Sequence, residues 1–172
     1  MRPRELHRYA LNLVNVHDLI DQFVKVVDPS ATLFRRIESA PWIAPLDNVL
    51  PKRLPVSYHS LISRYAFPMF DAAGILFFAN TGDESFDELA VAIFNDRHIA
   101  DVTHANGLIQ FARPGDGSYD PICFDARRSA NNREYPIVRL NHENILCRDE
   151  IGPLTDIAGS FYRFVSDFVQ RA

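Results

Sequence analysis

Leu108-Ile-Gln-Phe-Ala-Arg-Pro-Gly-Asp-Gly-Ser-Tyr-Asp-Pro-Ile-Cys-Phe-Asp125 is the stretch that decides the fold class. Leu108 to Ala112 is an apolar run broken only by Gln110, and Pro114-Gly-Asp-Gly-Ser118 is a concentrated turn signal. Tyr119 to Phe124 then returns as the partner strand, so the stretch predicts a β-hairpin and with it antiparallel pairing. Upstream, Gly74-Ile-Leu-Phe-Phe-Ala79 reads as a further buried strand, with Thr81-Gly-Asp-Glu-Ser85 as the turn after it. Phe86 to Ile93 reads either as one or two helical turns or as a strand around Leu89 to Phe94. Asn95 is a good cap for a helix running to about Ala105, with Ile99 and Val102 inward and Gly107 as its stop. Downstream, Ile137 to Leu140 and a short segment at Ile145 to Cys147 are expected to complete the sheet.

The flanks read as helix. Leu19, Ile20, Phe23, Val24 and Val27 share one helical face, and Asp28-Pro29 ends that run. A second short helix is expected from a Ser30 cap, carrying Leu33, Phe34 and Ile37. The four prolines between Pro41 and Pro55 predict an irregular surface segment. A third helix is expected from Val56, with Tyr58, Leu61, Ile62 and Tyr65 on its stripe, ending before Pro68. The last helix is expected from Thr155 to about Gln170. Its apolar face holds Ile157, Ala158, Phe161, Phe164, Val165 and Phe168, and Asp156 falls in its first turn. Helices followed by a run of strands and a closing helix give an α+β class. A largely antiparallel mixed sheet is flanked by N-terminal helices and a C-terminal amphipathic helix. No repeat or flexible linker divides the 172 residues, and 47% hydrophobic composition suffices for one core. A single domain spanning 1–172 is expected.

Composition narrows the function. No apolar run approaches the ~20 residues of a membrane span, and no apolar segment follows the basic N-terminus, so a cytosolic protein is expected. Cys123 and Cys147 lack Cys-x-x-Cys spacing and read as two small buried hydrophobes. The six histidines at 7, 17, 59, 98, 104 and 142 read as surface residues, and none is spaced as an i, i+4 metal pair. No nucleophile elbow, phosphate-binding loop or dinucleotide fingerprint is present. A cysteine with His142 could form a nucleophile and base, with no local support for it. Asp116, Ser118 and Asp120 resemble the start of a calcium loop, yet the twelfth residue from Asp116 is Arg127 and not the required Glu. No catalytic residue, metal ligand or cofactor is therefore expected.

Charge is uneven. Residues 1–53 carry eight Lys and Arg against six acids, residues 54–126 three against ten, and residues 127–172 seven against six. An acidic central segment disfavours nucleic acid and favours a basic protein partner. The expected partner-binding residues are Asp83, Glu84, Asp87, Glu88, Asp116, Tyr119 and Asp120. Phe86, Phe94, Tyr119 and Tyr135 are candidate aromatic anchors, against the alternative that they fill the core.

Several pieces, in order, resemble the SUKH superfamily, bacterial immunity proteins of polymorphic toxin systems related to the fungal cell-wall-assembly and glucan-synthesis regulator. Leu54-Pro-Val-Ser-Tyr58 is similar to its Leu-Pro-x-x-Tyr helix start. Leu108 to Ala112, Gly115-Asp-Gly117 and Tyr119 to Asp125 are similar to its central hairpin. Pro136-Ile-Val138 with His142-Glu143 is similar to the next strand and its acidic end, and Ile157-Ala-Gly-Ser-Phe161 to the closing helix. The resemblance covers residues 54–170 and leaves 1–53 as a helical N-terminal extension. It implies a non-catalytic binder that neutralises a toxin, such as a nuclease, through a basic toxin surface. A regulatory scaffold without a toxin is the alternative, and an uncharacterised hydrolase a third. Oligomeric state and partner identity are left open by these residues.

Overall fold

A computed structural model describes residues 3–82, 88–95, 97–128 and 133–172. Its centre is an antiparallel six-stranded meander in which every strand pairs with its sequence neighbour: β3 (Phe70–Ala72), β4 (Ile75–Phe77), β5 (Leu108–Pro114), β6 (Ile122–Asp125), β7 (Ile137–Arg139) and β8 (Thr155–Ala158). A two-stranded ladder joins β1 (Arg35–Arg36) to β2 (Tyr65–Ala66). The helices are α1 (Pro3–Val27), α2 (Ile43–Val49), α3 (Val56–Arg64), α4 (Leu89–Asn95), α5 (Arg97–Ala105), α6 (His142–Arg148) and α7 (Phe161–Arg171). The fold is α+β, with helices flanking the sheet.

Side chains alternate across a strand, and here both faces are covered. Ile109, Phe111, Ile122, Phe124 and Ile137 point into the larger core, with Ile20 and Phe23 of α1, Leu61 of α3 and Phe161 and Val165 of α7. Leu108, Cys123 and Val138 point the other way, against Ile99 of α5 and Ile145 of α6. Phe111 and Phe124 stack across β5 and β6 at 4.0 Å between ring centroids. Phe161 meets this pair and the edge of Tyr58, whose ring lies 5.2 Å away.

Buried polar side chains fasten the connections. Asn80 accepts from Phe67 N–H at 2.8 Å and donates to the carbonyls of Ile62 and Tyr65, tying the end of α3 to the loop after β4. Glu134 accepts from the Ser57 N–H and hydroxyl, both at 2.8 Å, and from Tyr162 N–H at 3.3 Å. One carboxylate thus serves the N-termini of α3 and α7, where the helix dipoles favour negative charge. At the hairpin tips, Gly115 N–H donates to Gly74 O at 2.8 Å, and a Cβ at Gly115 would collide with the Asp71 carboxylate.

Several local expectations are corrected. The helix expected at Ser30 is a turn. The Asp28 carboxylate accepts from the N–H groups of Thr32, Leu33 and Phe34, which pulls the chain round before β1. The proline-rich segment contains α2, because Pro45 falls in the first turn, where a missing N–H costs nothing. Ile43, Leu46 and Leu50 follow one another along its buried stripe. The ambiguous segment before Asn95 is the helix α4, and Asn95 is its last residue and not a cap. β3 was not anticipated. Ile145 to Cys147 lies in α6 and not in the sheet, since the Asn141 side chain accepts from Asn144 N–H and starts a helix. Cys147 is exposed, while Cys123 is buried. The closing helix starts at Phe161 behind a Ser160 cap and not at Thr155. Thr155 to Ala158 pair with β7, so Asp156 sits on an edge strand, with Arg128 at 2.7 Å, and Ile157 is exposed.

Phe161 has no exposed surface and touches several aromatic rings, so Phe161→Ala is expected to cost about 3–5 kcal/mol. Denaturant melts showing a loss below about 1 kcal/mol would place Phe161 outside the core. The Tyr58 hydroxyl is buried without a hydrogen-bond partner among the described residues. Tyr58→Phe keeps the ring and removes that hydroxyl, so equal or higher stability, by up to about 1 kcal/mol, is expected in the same melts.

Candidate protein-binding surface

The turn between β5 and β6 is built around Arg139, which projects from β7. Its Nε donates to Asp120 Oδ2 at 2.8 Å, Nη1 to Asp116 Oδ2 at 3.2 Å and Nη2 to Ser118 Oγ at 3.0 Å. Asp116 Oδ1 also accepts from Ser118 N–H at 2.9 Å, closing the turn on itself. The other Asp120 oxygen accepts from His142 N–H at 3.0 Å and faces His142 Nδ1 at 2.7 Å. A guanidinium and the start of α6 therefore hold two carboxylates and a hydroxyl of one turn. Burial alone would push the Asp120 carboxyl up, but the hydrogen bonds from His142 and Arg139 outweigh it and hold the carboxyl below its usual range. The paired carboxylate in turn raises the Arg139 guanidinium.

Tyr119 lies between these anchored residues and is itself 69% exposed. Its ring meets the His142 imidazole edge-on at 6.2 Å. One helical turn further, Leu146 follows His142 along the same face of α6 and is 49% exposed. Exposed Glu143, Asp149 and Glu150 lie on α6 and just beyond it, so acids outnumber Arg139 and Arg148 here.

Of the seven residues expected to bind a partner, four lie among the described residues: Glu88, Asp116, Tyr119 and Asp120. Asp116, Tyr119 and Asp120 come together on the turn. Asp83, Glu84 and Asp87, with Phe86, lie outside the described residues. Glu88 is corrected from a surface acid to a buried one: it is 4% exposed and accepts from the Thr81 N–H and hydroxyl. Asp125 is also fully buried, held by Arg127 Nε and Arg128 Nε at 2.8 Å each. The acidic segment thus spends Asp125, Asp116 and Asp120 on arginines from the segment after it. Tyr135 is core, and Phe94 is partly buried with its edge toward His104. Arg139, His142 and Leu146 were missed. Reading Asn141 as a cap would have set Leu146 beside His142 on one helix face, but no local signal brings either of them or Arg139 to the turn.

Burial raises the Cys123 thiol well above its usual value, disfavouring the thiolate that nucleophilic chemistry needs. Among the described residues, no group of three or more His, Cys, Asp or Glu side chains is arranged to hold a metal ion, and no helix is long and apolar enough to cross a membrane. No protein-family model matches the chain, and no curated protein matches it.

The Asp120 clamp has a pH signature. Its carboxyl titrates lower in the folded state than in the unfolded chain. The stabilisation is therefore complete above about pH 4 and is lost as pH falls from there through the folded value. Thermal melts of wild type should decline over that acid range, and Asp120→Asn should start lower and decline less. Parallel declines would show that Asp120 contributes nothing there.

Proposed function

We propose that this chain is a non-catalytic protein-binding domain of the SUKH type, an immunity protein that neutralises a toxin domain in the cytosol by binding it. The observation that carries the binding reading is Tyr119, an exposed aromatic ring on a turn immobilised by Arg139, Asp120 and His142. An exposed ring on a flexible loop would lose conformational freedom on binding, whereas a pre-held ring loses little. Tyrosine flanked by charged groups is also the residue type on which interface energy concentrates. Leu146 extends the apolar contact, and exposed Glu143, Asp149 and Glu150 suit a basic partner surface.

The toxin reading rests on the resemblance of residues 54–170 to the SUKH pattern. The non-catalytic reading is supported by Cys123, whose thiol is sealed between β6 and the α5–α6 layer. Cys123 serves packing, with its thiol against Ile99, Val138 and Ile145. The exposed acids nearest Tyr119 among the described residues lie on α6 and just beyond it.

Capture of partners from the native host, followed by binding measurements on the purified pair, tests this reading. The expected partner is a toxin domain whose activity the chain suppresses. Tyr119→Ala should weaken the complex by about 2 kcal/mol, mainly through faster dissociation. Glu143→Lys, at an exposed acid outside the clamp, should mainly slow association at low salt. A purified partner whose affinity is unchanged by Tyr119→Ala and Leu146→Ala would remove this surface from the account. A partner with no toxic activity would remove the immunity role.

A further inference from the structure

We propose that the groove between α7, β8 and the β3–β4 turn binds a small zwitterion with a large apolar side chain, the chemistry of an aromatic amino acid. The groove encloses about 500 Å³, within the range of small-ligand sites. It lies between α7 and two stretches of the sheet, with Ala73 and Ile75 on one side and Ile157 and Ala158 of β8 on the other. It shares no residue with the Tyr119 turn.

The lining is largely apolar and only partly covered by the fold. Ile157 is 38% exposed, and Phe164 and Phe168 are half-buried. Each of these rings has one neighbour in the core, Phe77 at 6.1 Å for Phe164 and Phe23 at 5.4 Å for Phe168. The surface they leave uncovered faces the groove, where a flat apolar guest removes it from water.

Two charges select that guest. Asp167 and Arg171 stand one turn apart on α7, are exposed and line the same groove. An acid followed four residues later by a base favours a mutual ion pair. Neither side chain, however, has a hydrogen bond or ion pair among the described residues. Arg128, by contrast, is paired with both Asp125 and Asp156. A purely apolar guest would leave both charges of the groove unused, an anion would meet Asp167, and a cation would meet Arg171. A zwitterion answers both, because its carboxylate takes paired hydrogen bonds from the guanidinium and its ammonium donates to Asp167.

NMR titration of the full chain with L-phenylalanine, phenylalaninamide, 3-phenylpropionate and glycine tests this. Phenylalanine is expected to saturate at roughly 0.1–10 mM, with shifts centred on 157–158 and 164–171. The amide lacks the carboxylate, 3-phenylpropionate lacks the ammonium and glycine lacks the ring, so each should bind at least about fivefold more weakly. Arg171 and Asp167 are exposed, so Arg171→Gln and Asp167→Asn should leave folding intact and weaken phenylalanine binding by roughly tenfold. Arg148→Gln, which removes an exposed guanidinium on α6, should change nothing. The proposal is overturned by absence of saturation at tens of millimolar, or by shifts that lie outside the groove. It is equally overturned if any of the three analogues binds as tightly as phenylalanine, or if Arg171→Gln loses no more than Arg148→Gln.

Discussion

The structure depends on a sheet that must be covered on both faces. Ile122-Cys-Phe-Asp125 is buried at all four positions, so β6 has no side turned to water. Ile122 and Phe124 need the aromatic core under α3 and α7, while Cys123 needs the thinner layer under α5 and α6. Neither layer can be removed without exposing half of the central hairpin. That requirement explains why the chain interrupts its strands with α4 and α5, and why α6 intervenes before β8. The last strand then completes the ladder on β7 before α7 closes the larger core.

Carboxylates and amides fix the connections between these layers. Glu134 serves the starts of two helices, Asp28 turns the chain after α1, and Asn80 locks the end of α3 to the strand loop. Asp125, at the end of β6, gathers two adjacent arginines. These uses govern how charge is expressed at the surface. Asp116, Asp120 and Asp125 of the acid-rich central segment are each paired with an arginine from the segment after it. The Arg139 clamp is the same device at the turn between β5 and β6, where one guanidinium holds Asp116, Ser118 and Asp120.

Those elements that declare themselves through local chemistry were legible. The Pro114 to Ser118 turn, the apolar strands around it and the stripe through Phe161, Val165 and Phe168 follow from turn propensity and periodicity. Elements decided by competition were not. Thr155 to Ala158 carries helical spacing into Phe161, but β7 needed an edge partner, and Ser160 offers a better helix start. Ser30 looks like a cap until Asp28 claims the same backbone N–H groups. The site was legible only in part for the same reason. Asp116, Tyr119 and Asp120 are neighbours in sequence, whereas Arg139 and His142 reach them only through strand register. No spacing rule announces that register.

The central claim is that the immobilised Tyr119 turn and the adjoining face of α6 form the docking surface of a protein binder. Hydrogen–deuterium exchange on the chain, free and bound to its captured partner, addresses that claim most directly. The account predicts new protection at residues 116–120 and 142–148, with the α1–α3 side unchanged. Protection confined to the α1–α3 side, with the Tyr119 turn exchanging as in the free chain, would contradict it.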